Sequence, residues 1–134
     1  MKILINIDVP TLAPAIDFYT RALGLTAYRV IDEDVAELTG ASSTIYLLQK
    51  AAGSSPEKNI AGVRLYTRHW TPVHFDFVVD NVEDAARRAI GAGAPQESDC
   101  VEWMGSKCIT FSDPFGHGFC LIEFTDGTYS GGTA

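Results

Sequence analysis

The order of apolar and polar residues in the first third of the chain returns seventy positions later. An offset of 70 lays Val9 on Val79 and Leu12 on Val82, and it superposes the starts of two helix-like runs. An internal repeat of this length is a statement about architecture, because each copy must form the same unit. In the first copy, residues 3–9 alternate: Ile3, Ile5, Ile7 and Val9 share one face, and Leu4, Asn6 and Asp8 the other. Period-two alternation of β-branched residues predicts a strand with one apolar face. Thr11 then reads as a helix N-cap. Leu12, Ala15, Ile16, Tyr19 and Leu23 follow at helical spacing, with Gly24 as the stop. Residues 25–32, 34–39 and 43–49 read as three short strands.

The second copy opens on HFDFVV, residues 74–79, with Phe75, Phe77 and Val79 on one face and His74, Asp76 and Val78 on the other. Asn81 is the expected N-cap, and Asp84 three residues on is a weak acidic analogue of a capping box. The helix VEDAARRAIGAG ends in glycines. Strand-like runs follow at 96–103, 106–112 and 118–124. The chain therefore reads βαβββ twice. Module 1 covers about 1–50, a Gly/Ser/Pro-containing connector about 51–70, and module 2 about 71–125. A tail at 126–134 is expected to fray. Within the connector, residues 62–70 fit either a strand or an ordered link.

One domain is what 134 residues allow. The formal charge of −7 disfavours nucleic acid and anionic membranes as partners. The N-terminus is too short and too polar to read as a signal peptide, and no run approaches a membrane span. Cys100, Cys108 and Cys120 make an odd set, which favours free thiols and a cytoplasmic setting. Cys100 and Cys108 are placed to face each other across a hairpin, but that compartment argues against a bond. Phosphate-cradling, zinc-protease and nucleophile-elbow motifs are absent from the sequence.

The duplicated pattern, together with AIDFYTRALGL (15–25), VHFDFVVDNVEDA (73–85) and DPFGHGFCLIEF (113–124), resembles the vicinal oxygen chelate superfamily. That group contains glyoxalase I, bleomycin-resistance proteins and extradiol dioxygenases. The resemblance covers roughly residues 3–124. It implies an α+β fold in which two βαβββ modules form an open, U-shaped mixed sheet around a cleft, usually in a homodimer. It also implies where a divalent ion would be held in metal-dependent members: the first and last strands of each module. Carried over position by position, those ligands fall on Leu4, Tyr46, His74 and Cys120. Only His74 is a standard match. Leu4 has no donor atom, Tyr46 is an uncommon ligand, and Cys120 is too soft for Mn, Fe or Mg. Glu123 has the opposite strand parity to Cys120, so it belongs to the helix side or the rim. The expectation is no cofactor and no bound metal.

His74 is the candidate catalytic residue, as ligand contact or general base, with the alternative of an idle remnant. Asp76, two residues on, lies ~7 Å further along the strand and is expected to reach His74 only through a ligand or water. Asn6, Tyr46, Asp76, Trp103 and Cys120 are the candidate ligand-binding residues. Against them stand core packing for the aromatics, a solvated rim for Asp76 and an inert buried thiol for Cys120. Arg64, Arg68, His69 and Trp70 offer a site for a carboxylate or planar group, or else are ordinary connector. DPFG, residues 113–116, reads as a turn.

Because this fold hosts several chemistries, three functions remain open. The first is a metal-free protein that binds a small, partly aromatic or anionic molecule in its cleft. The second is a metal-dependent lyase or dioxygenase, and the third is a non-catalytic dimeric interaction module.

Overall fold

The computed structural model describes residues 1–70 and 72–133; Thr71, the expected first residue of module 2, and Ala134, the last of the tail, lie outside the described residues. The chain divides into two compact units, Met1–Thr67 and Arg68–Ala134. Arg68, His69 and Trp70, at the end of the expected connector, thus belong to the second unit.

In the first unit, β1 (Ile5–Val9), α1 (Leu12–Leu23), β2 (Thr26–Ile31), β3 (Val35–Thr39) and β4 (Ile45–Gln49) form a sheet of order β1-β4-β3-β2 with one helix. β1 runs parallel to β4, and the other pairs are antiparallel. The strand expected from residue 3 begins at Ile5, because its partner begins at Ile45 and Ile5 N donates to Thr44 O at 3.1 Å. Between β2 and β3, Asp32 and Glu33 both have positive φ, 48° and 66°. Their primed turn geometry matches the twist of the hairpin.

The second unit repeats the plan. β5 (Phe75–Val78), α2 (Val82–Gly91), β6 (Val101–Trp103), β7 (Ser106–Ser112) and β8 (Gly118–Phe124) give the order β5-β8-β7-β6, again with the first and last strands parallel. Both sheets are open and mixed, so the architecture is the expected α+β pair of βαβββ units.

Each helix lies on the apolar side of its own sheet. Val9, Phe18, Leu38, Ile45 and Leu47 are fully buried in the first unit, and Phe111, Val82 and Leu121 in the second. The buried face of α1 is Leu12, Ala15, Phe18, Tyr19 and Ala22. It is turned from the expected stripe, leaving Ile16 and Leu23 half-buried, because the Phe18 ring takes the centre and meets Tyr19 edge-on at 5.0 Å. Gly24 stops α1 in the left-handed conformation, φ 68°.

The helix starts are held by the last strand of each unit. Thr11 makes no side-chain cap bond. Instead Leu12 N donates to the Gln49 side chain at 2.8 Å. Asn81 does cap α2, accepting from Asp84 N at 2.9 Å, and Glu123 accepts from Val82 N at 2.9 Å. Glu123 thus points to the helix side.

The strand expected over 96–103 is shortened to Val101–Trp103. Gln96 bridges Phe111 and Val101 pairs with Cys108, so five residues on one strand span three on the other. The two extra residues break the ladder, and Ser98 Oγ takes the Thr110 amide at 2.9 Å instead. Residues 62–70 form an ordered link rather than a strand. Beyond β8, the tail folds back on the β6–β7 turn: Ser130 N donates to Met104 O at 2.7 Å, and Tyr129 packs on Trp103 and Phe124.

Candidate functional site

β5 and β8 position the site. His74 immediately precedes β5, Asp76 lies within it, and Cys120 is directly beside Asp76 in the parallel register. Period-two geometry puts all three on the face away from α2. The Asp76 Oδ1 lies 3.2 Å from His74 Nε2, so the two side chains touch directly rather than only through a ligand or water. Both are exposed, whereas Cys120 is buried. A nitrogen of His74, a carboxylate oxygen of Asp76 and the Cys120 sulfur all lie within 4.8 Å of one another.

The β7 neighbours complete this face. Thr110, opposite Cys120, places its hydroxyl 3.5 Å from the sulfur. Cys108, two residues along β7, hydrogen-bonds with Cys120 through its thiol. Burial pushes the Cys120 thiol up, opposed by hydrogen bonds from Thr110 and Cys108. Burial likewise pushes Cys108 up to about 12. At neutral pH both are thiols rather than nucleophilic thiolates. Val101, not Cys100, stands opposite Cys108, and all three cysteines are free.

Trp70 closes the other side of His74. Its indole lies 4.6 Å from the imidazole, centroid to centroid, tilted by 32°. The segment that carries it is fastened at several points. His69 N donates to Gly116 O at 2.9 Å, and the His69 and His117 rings share a hydrogen bond of 3.1 Å. Arg68 forks onto Glu97, with Nε to Oε2 at 2.6 Å, and its guanidinium sits 5.4 Å from the Trp70 ring. Asp113 holds the following turn, accepting from the amides of Phe115 and His117 at 2.8 and 2.9 Å. DPFG is thus a turn, as read. Trp70 was visible in the sequence only as a connector residue. The signal for its place was Gly118, a glycine inside a strand, which marks close approach by another group.

The other candidates are elsewhere. Trp103 lies on β6, at the opposite edge of the sheet from β5 and 63% exposed, where it lines a depression of about 410 Å³ with Glu102, Met104 and Lys107. Asn6 and Tyr46 are register partners in the first unit. The Tyr46 hydroxyl faces Glu37 at 3.4 Å, and Glu37 also pairs with Arg29. Arg64 is a structural tie: its guanidinium holds Asp8 at 2.7 Å and Ser55 O at 2.8 Å. With Arg68 on Glu97, neither arginine forms the open anion patch that the connector reading offered.

The positions carried over for an oxygen-preferring octahedral ion do not present a matching donor set. Leu4 is 49% exposed and offers no donor, the Tyr46 hydroxyl is directed at a carboxylate, and the Cys120 thiol holds its proton.

Two βαβββ units with a His-centred cluster on the sheet face define a protein of the vicinal oxygen chelate class. The sequence model of the glyoxalase-like domain matches residues 4–122, and the chain belongs to that family. Among solved structures it is similar to a glyoxalase/bleomycin resistance protein/dioxygenase from Nocardioides, with a TM-score of 0.69 and 17% identity over 100% of this chain and 89% of that one. The fosfomycin resistance protein FosX from Listeria monocytogenes gives 0.68 and 18%, covering 93% of each chain. Lactoylglutathione lyase from Agrobacterium tumefaciens gives 0.64 and 18%, covering 92% of each. Among curated proteins no match is found. Identities this low establish a shared fold. Among the described residues, no helix is long and apolar enough to cross a membrane.

Proposed function

We propose that the protein binds a small, partly aromatic or anionic molecule, without the octahedral catalytic ion of the metal-dependent members. The observation that carries this reading is the tilted Trp70–His74 ring contact with Asp76 at 3.2 Å from the imidazole. A planar surface beside a hydrogen-bonding group and a charge is the usual composition of a small-molecule site. The aromatic part of the ligand has the stronger support, since Arg64 and Arg68 are engaged with Asp8 and Glu97. The proposed contacts, all within the second unit, are His74, Asp76 and Cys120, beside the Trp70 ring. Two proteins of the same fold, the fosfomycin resistance protein and lactoylglutathione lyase, are named for small molecules, and this is consistent with the same use here. The proposed setting is a cytoplasmic homodimer, in keeping with three unpaired cysteines.

A thermal-shift screen of small aromatic and carboxylated compounds tests the reading. Ligands that stabilise the protein, and lose that effect in Trp70→Ala and His74→Ala, support it. A stabilising ligand indifferent to both variants overturns the site.

A further inference from the structure

Strand register fixes what else lies on the sheet face that carries Asp76. Residues directly paired across strands share a face. Asp76 therefore stands in one row with Cys120 and Thr110, and Val78 in the next with Ile122, Cys108 and Val101. Gly118 with Ser112 precedes these rows, and Phe124 with Ser106 and Trp103 follows them. Glu102, Lys107 and Glu123 pair with one another on the opposite face. Among the described residues of these four strands, Asp76 is thus the one permanently charged group on this face.

No permanent cation balances that carboxylate. Asp8, Asp17, Glu37, Asp84 and Glu97 each pair with an arginine. Among the described residues the ion-pair partner of Asp76 is His74, which is charged only when protonated. The Cys120 thiol hydrogen-bonds with Asp76 and is neutral. A carboxylate beside apolar side chains without a counter-ion is costly, and an ammonium group held against it offsets that cost. From this face we infer that the ligand is a cation: a small arylalkyl amine, its ammonium on Asp76 and its ring over the exposed Val78, where Cys108 and Val101 continue the apolar row. Residues two apart on one strand stand about 7 Å from each other, so the ammonium and the ring are separated by roughly that distance.

This inference rests on the proposed small-molecule site and assigns the sign of its ligand's charge. The experiment is a calorimetric titration with three probes of one shape: phenylpropylamine, phenylpropanol and phenylpropanoate, which are cationic, neutral and anionic at neutral pH. The amine is expected to bind at least tenfold more tightly than the alcohol, the lower end of what a hydrogen bond to a charged group contributes. The acid is expected to bind more weakly than the alcohol. Asp76→Asn keeps the side-chain shape at an exposed position, so it should fold, and it should bring the amine down to the affinity of the alcohol. Val78→Ser should instead weaken amine and alcohol by the same factor. An amine that binds no better than the alcohol overturns the inference, as does amine affinity undiminished in Asp76→Asn. An acid that binds more tightly than the amine, and loses affinity in Trp70→Ala and His74→Ala, overturns the inference and keeps the binding reading. Failure of all three probes to bind overturns the inference, and the wider aromatic screen then decides the binding reading separately.

Discussion

The indole of Trp70 occupies the space where any side chain at position 118 would stand. A Cβ built on Gly118 collides with the Trp70 ring and comes close to the Arg68 guanidinium. The glycine is thus what lets the 68–70 segment lie on β8 and bring an aromatic ring against His74. Gly118→Ala is expected to push Trp70 off the strand, at a cost of about 1–3 kcal/mol for overpacking. Chemical denaturation and tryptophan emission check this: the variant should be less stable and its emission shifted toward that of solvated indole. Unchanged stability and emission would mean that Trp70 does not rest on β8.

The same segment should respond to acid. The Arg68 guanidinium, through its hydrogen bonds, holds the Glu97 carboxyl below its ordinary value of 4.5, against a smaller opposing effect of burial. A carboxyl whose folded value is depressed stabilises the fold fully above its unfolded value, and that contribution is lost as pH falls through the folded one. The pair is partly exposed, so the effect is modest. Tryptophan emission measured from pH 5 down to pH 2.5 should therefore move below pH 4.5 in the native chain. In Glu97→Gln this component should be missing, and an identical transition in both proteins would remove Glu97 from the account.

Thiol reactivity should be graded. Cys100 is exposed, while Cys108 and Cys120 are held as thiols by burial, Cys108 at about 12. One thiol should react with a disulfide reagent at pH 8 within minutes, and the other two only on the timescale of unfolding. Fast modification of either remaining thiol in Cys100→Ser would show that the face beside Asp76 opens readily.

Helix caps give a paired test of stability. Asn81→Ala removes a bond to Asp84 N and should cost ~1 kcal/mol. Thr11→Ala removes no such bond and should be within about 0.5 kcal/mol of neutral. Gln49→Ala should instead carry the first helix's loss, since Leu12 N depends on it. Urea midpoints for the three variants decide the order.

These caps also show what could be read from the chain. Alternation in 3–9 and 74–79, helical spacing, glycine stops and the repeat itself were local signals, and they placed both units. Thr11 looked like a cap because sequence shows residue type, whereas the bond to Leu12 N is made by Gln49, 37 positions beyond Leu12. Similarly, the parity of His74 and Asp76 was legible, but their direct contact depends on rotamers that parity leaves free. The pairing of Cys120 with Asp76 followed from the parallel register, and sequence alone does not set that register. The two extra residues before Val101 were invisible for the same reason: Ser98 supplies from its side chain what the backbone ladder would have supplied.

The parallel pairing of β1 with β4, and of β5 with β8, has a consequence for how the chain comes into being. In both halves the opening strand finds its neighbour only when the closing strand has been made. The helix between them draws its first amide partner from that same closing strand. A nascent chain that has not yet emerged past Gln49, or later past Glu123, holds an incomplete circuit, with one strand edge bare and one helix end unanchored. Assembly is therefore expected in two late, abrupt steps rather than by gradual accretion, because the contacts that reward each half span almost its whole length.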